Sequence, residues 1–237
     1  MQFLKVNWPA PHFIGAVTTQ QNQQQPHNYN VATHVNDDVH VVMKNRQQLQ
    51  DTLGFRHEPF WLNQTHSNCC IDIDSSNVID GDASYTQQIE KPLVIMTADC
   101  LPIILCHPTE REIAAIHAGW RGLANGVIEN TLQNLKNPLH EYMAWMGPAI
   151  CIDCYAVGDE LKQTFLSRFP EANHCFHHKQ QWHFSLTQMA QYILNQQGIQ
   201  NVFDAQACTY ENTAFYSYRR QAQTGRIATL IWIKDVK

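Results

Sequence analysis

The chain has 237 residues, 44% of them hydrophobic and 16% charged, a balance that suits one folded domain and excludes a charged or low-complexity disordered chain. Lys and Arg number 16 against 21 Asp and Glu, for a net charge of −5. The basic excess that carries phosphate-backbone binding is missing, so nucleic acid is excluded as the expected partner.

In chain order, the start lacks the basic region and long apolar core of a secretory signal. The most apolar stretch, 93–106, is interrupted by Asp99 and Pro102 and is too short to cross a bilayer. A cytoplasmic protein with no membrane partner is expected, and its 8 cysteines then read as buried thiols or metal ligands rather than a disulfide framework. Residues 13–17 read as a strand, and the Gln/Asn-rich run at 19–30 reads as an exposed loop, too near the terminus to divide domains. Further short, β-branched runs predict strands at 93–96, 103–105, 113–116, 142–146 and 228–233. The second and third of these form a hairpin around His107-Pro108-Thr109.

Helical period marks 123–135, with Leu123, Val127, Ile128, Thr131, Leu132 and Leu135 on one face. A second helix spans 159–169 and ends at Pro170. A third runs from 186 to about 197, capped by Ser185 or Thr187 and stopped by Gly198. Strands and helices mix without strict βαβ alternation, which points to one α/β or α+β domain over 1–237, a mixed β-sheet core flanked by helices.

Three segments place reactive side chains where an apolar strand meets a polar turn: Trp61-Leu62-Asn63-Gln64-Thr65-His66, Val94-Ile95-Met96-Thr97-Ala98-Asp99-Cys100 and Ala114-Ala115-Ile116-His117-Ala118-Gly119-Trp120-Arg121-Gly122. If those strand ends lie side by side, His66, Cys100 and His117 meet at one rim. Two imidazoles and a thiolate suit zinc, or copper, and leave a fourth position open. Their spacing matches no generic zinc pattern, and a core cysteine with two satisfied histidines is the other reading.

Gly119 and Gly122 around Arg121 either bring a helix start and a guanidinium to an anion or make a tight strand-to-helix turn. Phe215-Tyr216-Ser217-Tyr218-Arg219-Arg220, followed by Thr224-Gly225-Arg226, reads as stacking and anion-gripping groups for a nucleoside, or as a β-hairpin with aromatic and charged faces. Asp82, in Asp80-Gly81-Asp82, supplies a carboxylate that orients a ligating histidine, a general acid/base, or only an Asp-Gly turn. Cys151 and Cys154 have CxxC spacing without a partner pair and read as structural thiols. The tract His174-Cys175-Phe176-His177-His178 with His183 reads as a surface loop with adventitious metal affinity.

Together, Gln64-Thr65-His66, Asp80-Gly81-Asp82-Ala83, Thr97-Ala98-Asp99-Cys100-Leu101-Pro102, His117-Ala118-Gly119-Trp120-Arg121-Gly122, Gly147-Pro148-Ala149-Ile150 and the 215–226 segment resemble the YfiH-like laccase-domain family. That family is treated as purine nucleoside phosphorylases and formerly carried the description polyphenol oxidase-like. The resemblance runs in order over 13–233 and implies a YfiH/CNF-like α/β domain carrying zinc on His66, Cys100 and His117. It further implies phosphorolysis of adenosine, inosine, guanosine and methylthioadenosine, with some adenosine deamination, in a monomer or weak dimer. Arg46, in Lys44-Asn45-Arg46, matches a family Asn-Arg pair placed near the ligand. Two departures stand out: the Gln-rich run replaces a Gly-rich, Arg-containing loop, and Cys151-Ile152-Asp153-Cys154-Tyr155 replaces Gly-Pro-Cys-Cys-Tyr.

The mechanism expected from this set places phosphate near the cation, Arg121 and the start of the 123–135 helix, with the purine on Tyr216 or Tyr218 and Arg219 beside it. Deamination would need an activated water at purine C6 and an acid/base such as Asp82 or Asp99. The rivals are a cysteine amidase or hydrolase with Cys100 as nucleophile and His117 as base, which would fit a family role on peptidoglycan precursors, a copper-dependent polyphenol oxidase, and a non-catalytic metal-binding module.

Overall fold

The computed structural model describes residues 1–21 and 28–236; half of the predicted Gln/Asn-rich loop, 22–27, lies outside the described residues, and its first two residues belong to a strand. The elements are β1 (Gln2–Lys5), β2 (Ile14–Gln20), α1 (Val39–Leu53), β3 (Phe60–Trp61), β4 (Cys70–Asp72), β5 (Ala83–Thr86), β6 (Leu93–Thr97), β7 (Leu101–Cys106), β8 (Ile113–Ala118), α2 (Trp120–Asn125), α3 (Val127–Asn134), β9 (Met143–Met146), β10 (Ala156–Val157), α4 (Asp159–Arg168), β11 (Phe176–His178), β12 (Trp182–Phe184), α5 (Leu186–Gln196), β13 (Asn201–Asp204) and β14 (Ile227–Ile233).

Two mixed sheets organise the chain, one ordered β1-β2-β14-β6-β3 and the other β13-β9-β7-β8-β5-β4, with a small β10-β12-β11 sheet beside them. Their continuous apolar strands follow from burial on both faces. Leu93, Ile95, Ile231 and Ile233 of the first sheet meet Ile104, Ile113, Ala115 and Trp145 of the second in one buried cluster. The second sheet turns Leu101, Ile103, Ala114 and Ile116 the other way, onto Leu123, Val127, Met189 and Ile193 of the helices. The outer face of the first sheet, with Val94, Met96 and Leu230, covers Leu49 of α1. The result is a helix–sheet–sheet–helix stack of mixed α/β class.

The predicted 103–105/113–116 hairpin forms as β7 and β8, paired Ile103 to Ile116 and Leu105 to Ala114. Ser185 caps α5 by accepting from the Gln188 amide, and α4 stops two residues before Pro170. The single helix expected at 123–135 is instead two, because Gly126 sits at φ 85 between α2 and α3 and breaks the hydrogen-bond run. The β-hairpin, one of the two readings of 215–226, does not form; the segment is turns and irregular backbone. Arg220 explains why, since its guanidinium donates back to the carbonyls of Thr209, Tyr210 and Phe215 and coils the segment around itself.

Candidate functional site

The two sheets are joined by the short crossover from Thr97 to Leu101, at the rim where β3 and β8 also end. Asp99 makes that crossover possible at φ 89, a left-handed conformation that costs a non-glycine residue energy. Its surroundings hold it there: Oδ1 accepts from the Thr209 hydroxyl at 2.7 Å, Oδ2 from the Arg219 amide at 2.6 Å, and its carbonyl from the Ile150 amide at 3.0 Å. Cys100 follows at the rim. His66 is likewise left-handed, at φ 61, and its loop is docked by Gln64, whose side chain makes both a donor and an acceptor bond to the Met96 backbone at 2.8 Å. His117 shares its strand face with Ala115 and Ile113, so it points to the gap between the sheets where β8 ends.

The ligand atoms of His66, Cys100 and His117 thus lie within 4.8 Å of one another. Cys100 Sγ is 3.9 Å from His66 Nε2, and the two imidazoles meet edge-on with centroids 4.9 Å apart. Beneath them Asp82, with 0% of its surface exposed, accepts from the amides of Thr65, His66 and Ser67, the Ser67 hydroxyl and His117 Nδ1. All five groups are donors, so Asp82 is ionised and the proton on His117 sits at Nδ1, which aims Nε2 at the other two ligands.

Charge follows this geometry. Burial pushes the Asp82 carboxyl up, but the His117 and Ser67 hydrogen bonds outweigh it and hold the group at about 2. Burial likewise pushes Cys100 up, yet the two imidazoles bring its thiol down to about 6. Against burial, Asp82 and Cys100 raise His117 to about 9. At neutral pH the metal-free site therefore holds a thiolate beside an imidazolium. One thiolate and two imidazoles are borderline-soft donors of the kind zinc and copper take. The residues fit a cation.

The triad forms one wall of a cavity of about 420 Å³, within the usual small-molecule range. Arg121, Arg219, Arg226 and His34 also line it, with Trp120, Tyr155 and Tyr218 as aromatic surfaces. Among the described residues, none of the three arginines is in an ion pair. Arg121 lies over Trp120 at 4.4 Å and Arg219 over Tyr155 at 5.1 Å, so both guanidinium planes are held without being neutralised. A cationic, aromatic-lined pocket facing a metal-ligand triad is suited to an anion together with a flat ring.

The family model described as multi-copper polyphenol oxidoreductase laccase matches residues 15–234. The chain belongs to this family. A Pseudomonas aeruginosa protein named purine nucleoside phosphorylase is 37% identical over 241 residues, spanning 98% of this chain and 99% of that one. Purine nucleoside phosphorylase YfiH of Escherichia coli is 32% identical over 234 residues, spanning 95% and 96% of the two chains. The crystal structure of a Neisseria meningitidis protein superposes with a TM-score of 0.93 at 36% identity, covering 99% of this chain and 100% of that one. YlmD from Geobacillus stearothermophilus, at 24% identity, shares the fold with a TM-score of 0.88 over 99% and 97% of the chains.

In this laccase-family site the predicted residues do not all meet. Cys100, His66, His117, Arg121, Tyr218 and Arg219 line the cavity. Tyr216 does not: its ring is buried against Phe215 and Ile227 and its hydroxyl donates to the Asn28 carbonyl, so it cannot stack on a ligand. Arg46 also stays behind the wall, donating to the Val31 carbonyl and lying over Trp61 at 3.9 Å; it secures the segment that carries His34. Asp82 is outside the cavity lining and saturated with donors, which places it to orient the His117 imidazole and to hold the backbone of the His66 loop. The sequence alone assigns no role to His34, Tyr155 or Gln64, and offers Arg226 only as one of several anion-gripping groups in the 215–226 segment. Arg226 alone carried a signal, the Gly225 before it: a Cβ there would lie 2.7 Å from Tyr216 Cζ, so glycine lets the backbone bring Arg226 to the wall.

Gly119 is required by space rather than by conformation, since its φ of −70 suits any residue. A Cβ there would lie 3.0 Å from His66 Cδ2 and 3.1 Å from Cys100 Sγ. Gly119→Ala is expected to spread the three side chains and weaken retention of any cation held there roughly 10-fold or more, by analogy with disturbing the groups that orient ligands. Competition against a chromophoric chelator measures this, and equal retention by variant and wild type would contradict it.

Proposed function

We propose that this protein is a zinc-dependent purine nucleoside phosphorylase acting on adenosine, inosine, guanosine and methylthioadenosine, with adenosine deamination as a side activity, in the cytoplasm. The observation that carries this reading is the His66, Cys100, His117 triad facing three unpaired arginines across one cavity. The names borne by relatives at 32–37% identity support the same reaction.

In this reading Arg121, Arg219 and Arg226 hold phosphate through charge-assisted hydrogen bonds, and Trp120, Tyr155 and Tyr218 offer faces to the purine. A phosphate oxygen forms the bond to ribose C1′ as the bond to purine N9 breaks, and the bonding pair leaves with the purine. The arginines keep phosphate aligned with C1′ while positive charge develops on the sugar, so positioning supplies much of the rate. Zinc held by the triad would supply Lewis-acid charge at the cavity wall. Asp82 fixes the His117 imidazole and the His66 backbone before substrate arrives, which removes a reorganisation cost.

Incubating the zinc-loaded protein with adenosine tests this. Adenine and ribose 1-phosphate are expected only when phosphate is present, and inosine marks deamination. Absence of both products at full zinc occupancy would refute the reading, and phenol oxidation by copper-loaded protein alone would favour the oxidase alternative.

One observation supports a second reading. Asp82, His117 and Cys100 form a hydrogen-bonded chain of the kind that activates a cysteine nucleophile, which suits an amidase or hydrolase. The two readings separate by alkylation. Iodoacetamide should modify Cys100 only after chelation, with a midpoint near pH 6; a nucleophile would react without chelation.

A further inference from the structure

Away from the cavity triad, a second group of ligand atoms converges. Cys151, Cys154, Cys208 and Glu211 each bring one donor within 4.8 Å of the others. The CxxC pair, which the sequence left without a partner, finds it in the segment after β13. Ile152–Cys154 forms a single helical turn that sets the two thiols side by side. Ala149 pairs with Cys208 in an isolated bridge, with the Thr209 amide donating to the Ala149 carbonyl at 3.1 Å, so the third thiol is delivered by backbone pairing rather than by chance. The Cys151 amide donates to Cys208 Sγ at 3.3 Å, which fixes that sulfur against the CxxC turn. Cys154 Sγ approaches Glu211 Oε1 at 3.7 Å.

We propose that Cys151, Cys154, Cys208 and Glu211 form a second metal site, a structural one, that takes a zinc-class divalent cation through three thiolates and one carboxylate. Four protein donors fill a tetrahedron, which leaves no open position and distinguishes this site from the three-donor triad. Soft thiolates select zinc over calcium or magnesium. The cation would tie two segments far apart in sequence, 147–155 and 207–211. The first contributes Ile150 and Tyr155 to the cavity wall, and the second holds Asp99 through Thr209. Lys179, 2.6 Å from Asp153, offsets the one carboxylate that lies between the two cysteines of the pair, so Asp153 adds no further negative charge there.

Elemental analysis tests this independently of the catalytic reading. Protein purified under reducing conditions with zinc should hold about two equivalents per chain. Cys100→Ala should keep about one, and combining it with Cys208→Ser should leave none. Cobalt loaded into Cys100→Ala should show an intense thiolate charge-transfer band that the added Cys208→Ser abolishes. Glu211→Gln changes an exposed side chain and leaves folding intact; it should release one equivalent to a chelator faster than wild type does. One equivalent in the wild type and none in natively folded Cys100→Ala would overturn the proposal. A Cys151–Cys154 disulfide in reduced preparations without the second equivalent would also overturn it.

Discussion

Replacing Asp82 with asparagine is expected to destabilise the protein by about 3 kcal/mol and, on the proposed function, to lower the affinity of the triad for its cation roughly 10- to 100-fold. Two effects combine. The carboxyl sits at about 2 in the fold against an ordinary value of 3.8, a difference that corresponds to about 2 kcal/mol at neutral pH. The amide also turns an NH2 donor toward a cluster of donors that includes Ser67 and Thr65, which leaves at least one buried group unsatisfied. Because the folded value is depressed, this stabilisation is complete above pH 4 and disappears as pH falls toward 2. Thermal melts should therefore show Asp82→Asn about 6–12 °C below wild type at pH 7, with the gap narrowing in acid. An unchanged melting temperature at pH 7, or a gap of constant size, would refute the role assigned to Asp82.

Removing the thiol is expected to affect turnover most. Under the proposed function, Cys100→Ala deletes one of three metal-holding groups and the anion facing His117, and phosphorolysis should fall roughly 1,000-fold, equivalent to about 4 kcal/mol of transition-state stabilisation. His117 should simultaneously lose part of its upward shift to about 9, since Cys100 contributes to it, while Asp82 keeps the rest. Its titration by NMR in metal-free protein reads this directly. Chelated wild type should fall to the activity of the variant. A chelated wild type that stays active while Cys100→Ala does not would assign the sulfur to nucleophilic attack instead.

The strands were legible because both sheets are covered on both faces, so each reads as a short continuous apolar run between breakers. Helix α1 was not, because Val42, Asn45 and Leu49 are its only buried positions and its composition is polar. Its ends did carry a signal: Asp38 caps the first turn by accepting from the His40 amide, and Gly54 closes the last at φ 69. Within the site, His66, Cys100 and His117 stood out because each follows an apolar strand. Tyr216 and Tyr218 could not be told apart by residue type. Only the coil held by Arg220 decides that one ring is buried and the other 56% exposed. For Asp82 the sequence offered the bond to a ligating histidine but not the four from Thr65, His66 and Ser67, since these come from a loop 15 to 17 residues before it.

The crossover at Thr97–Leu101 has a consequence for the way the molecule responds to remote change. His66 leaves the first sheet, His117 belongs to the second, and Cys100 lies on the link between them. The triangle of donor atoms is thus a gauge of how the layers are seated on each other. A methyl lost at Ile104 or Ile231, well inside the sandwich, lets one layer slide by a fraction of an ångström. Ion affinity would register that slippage before any spectroscopic sign of unfolding.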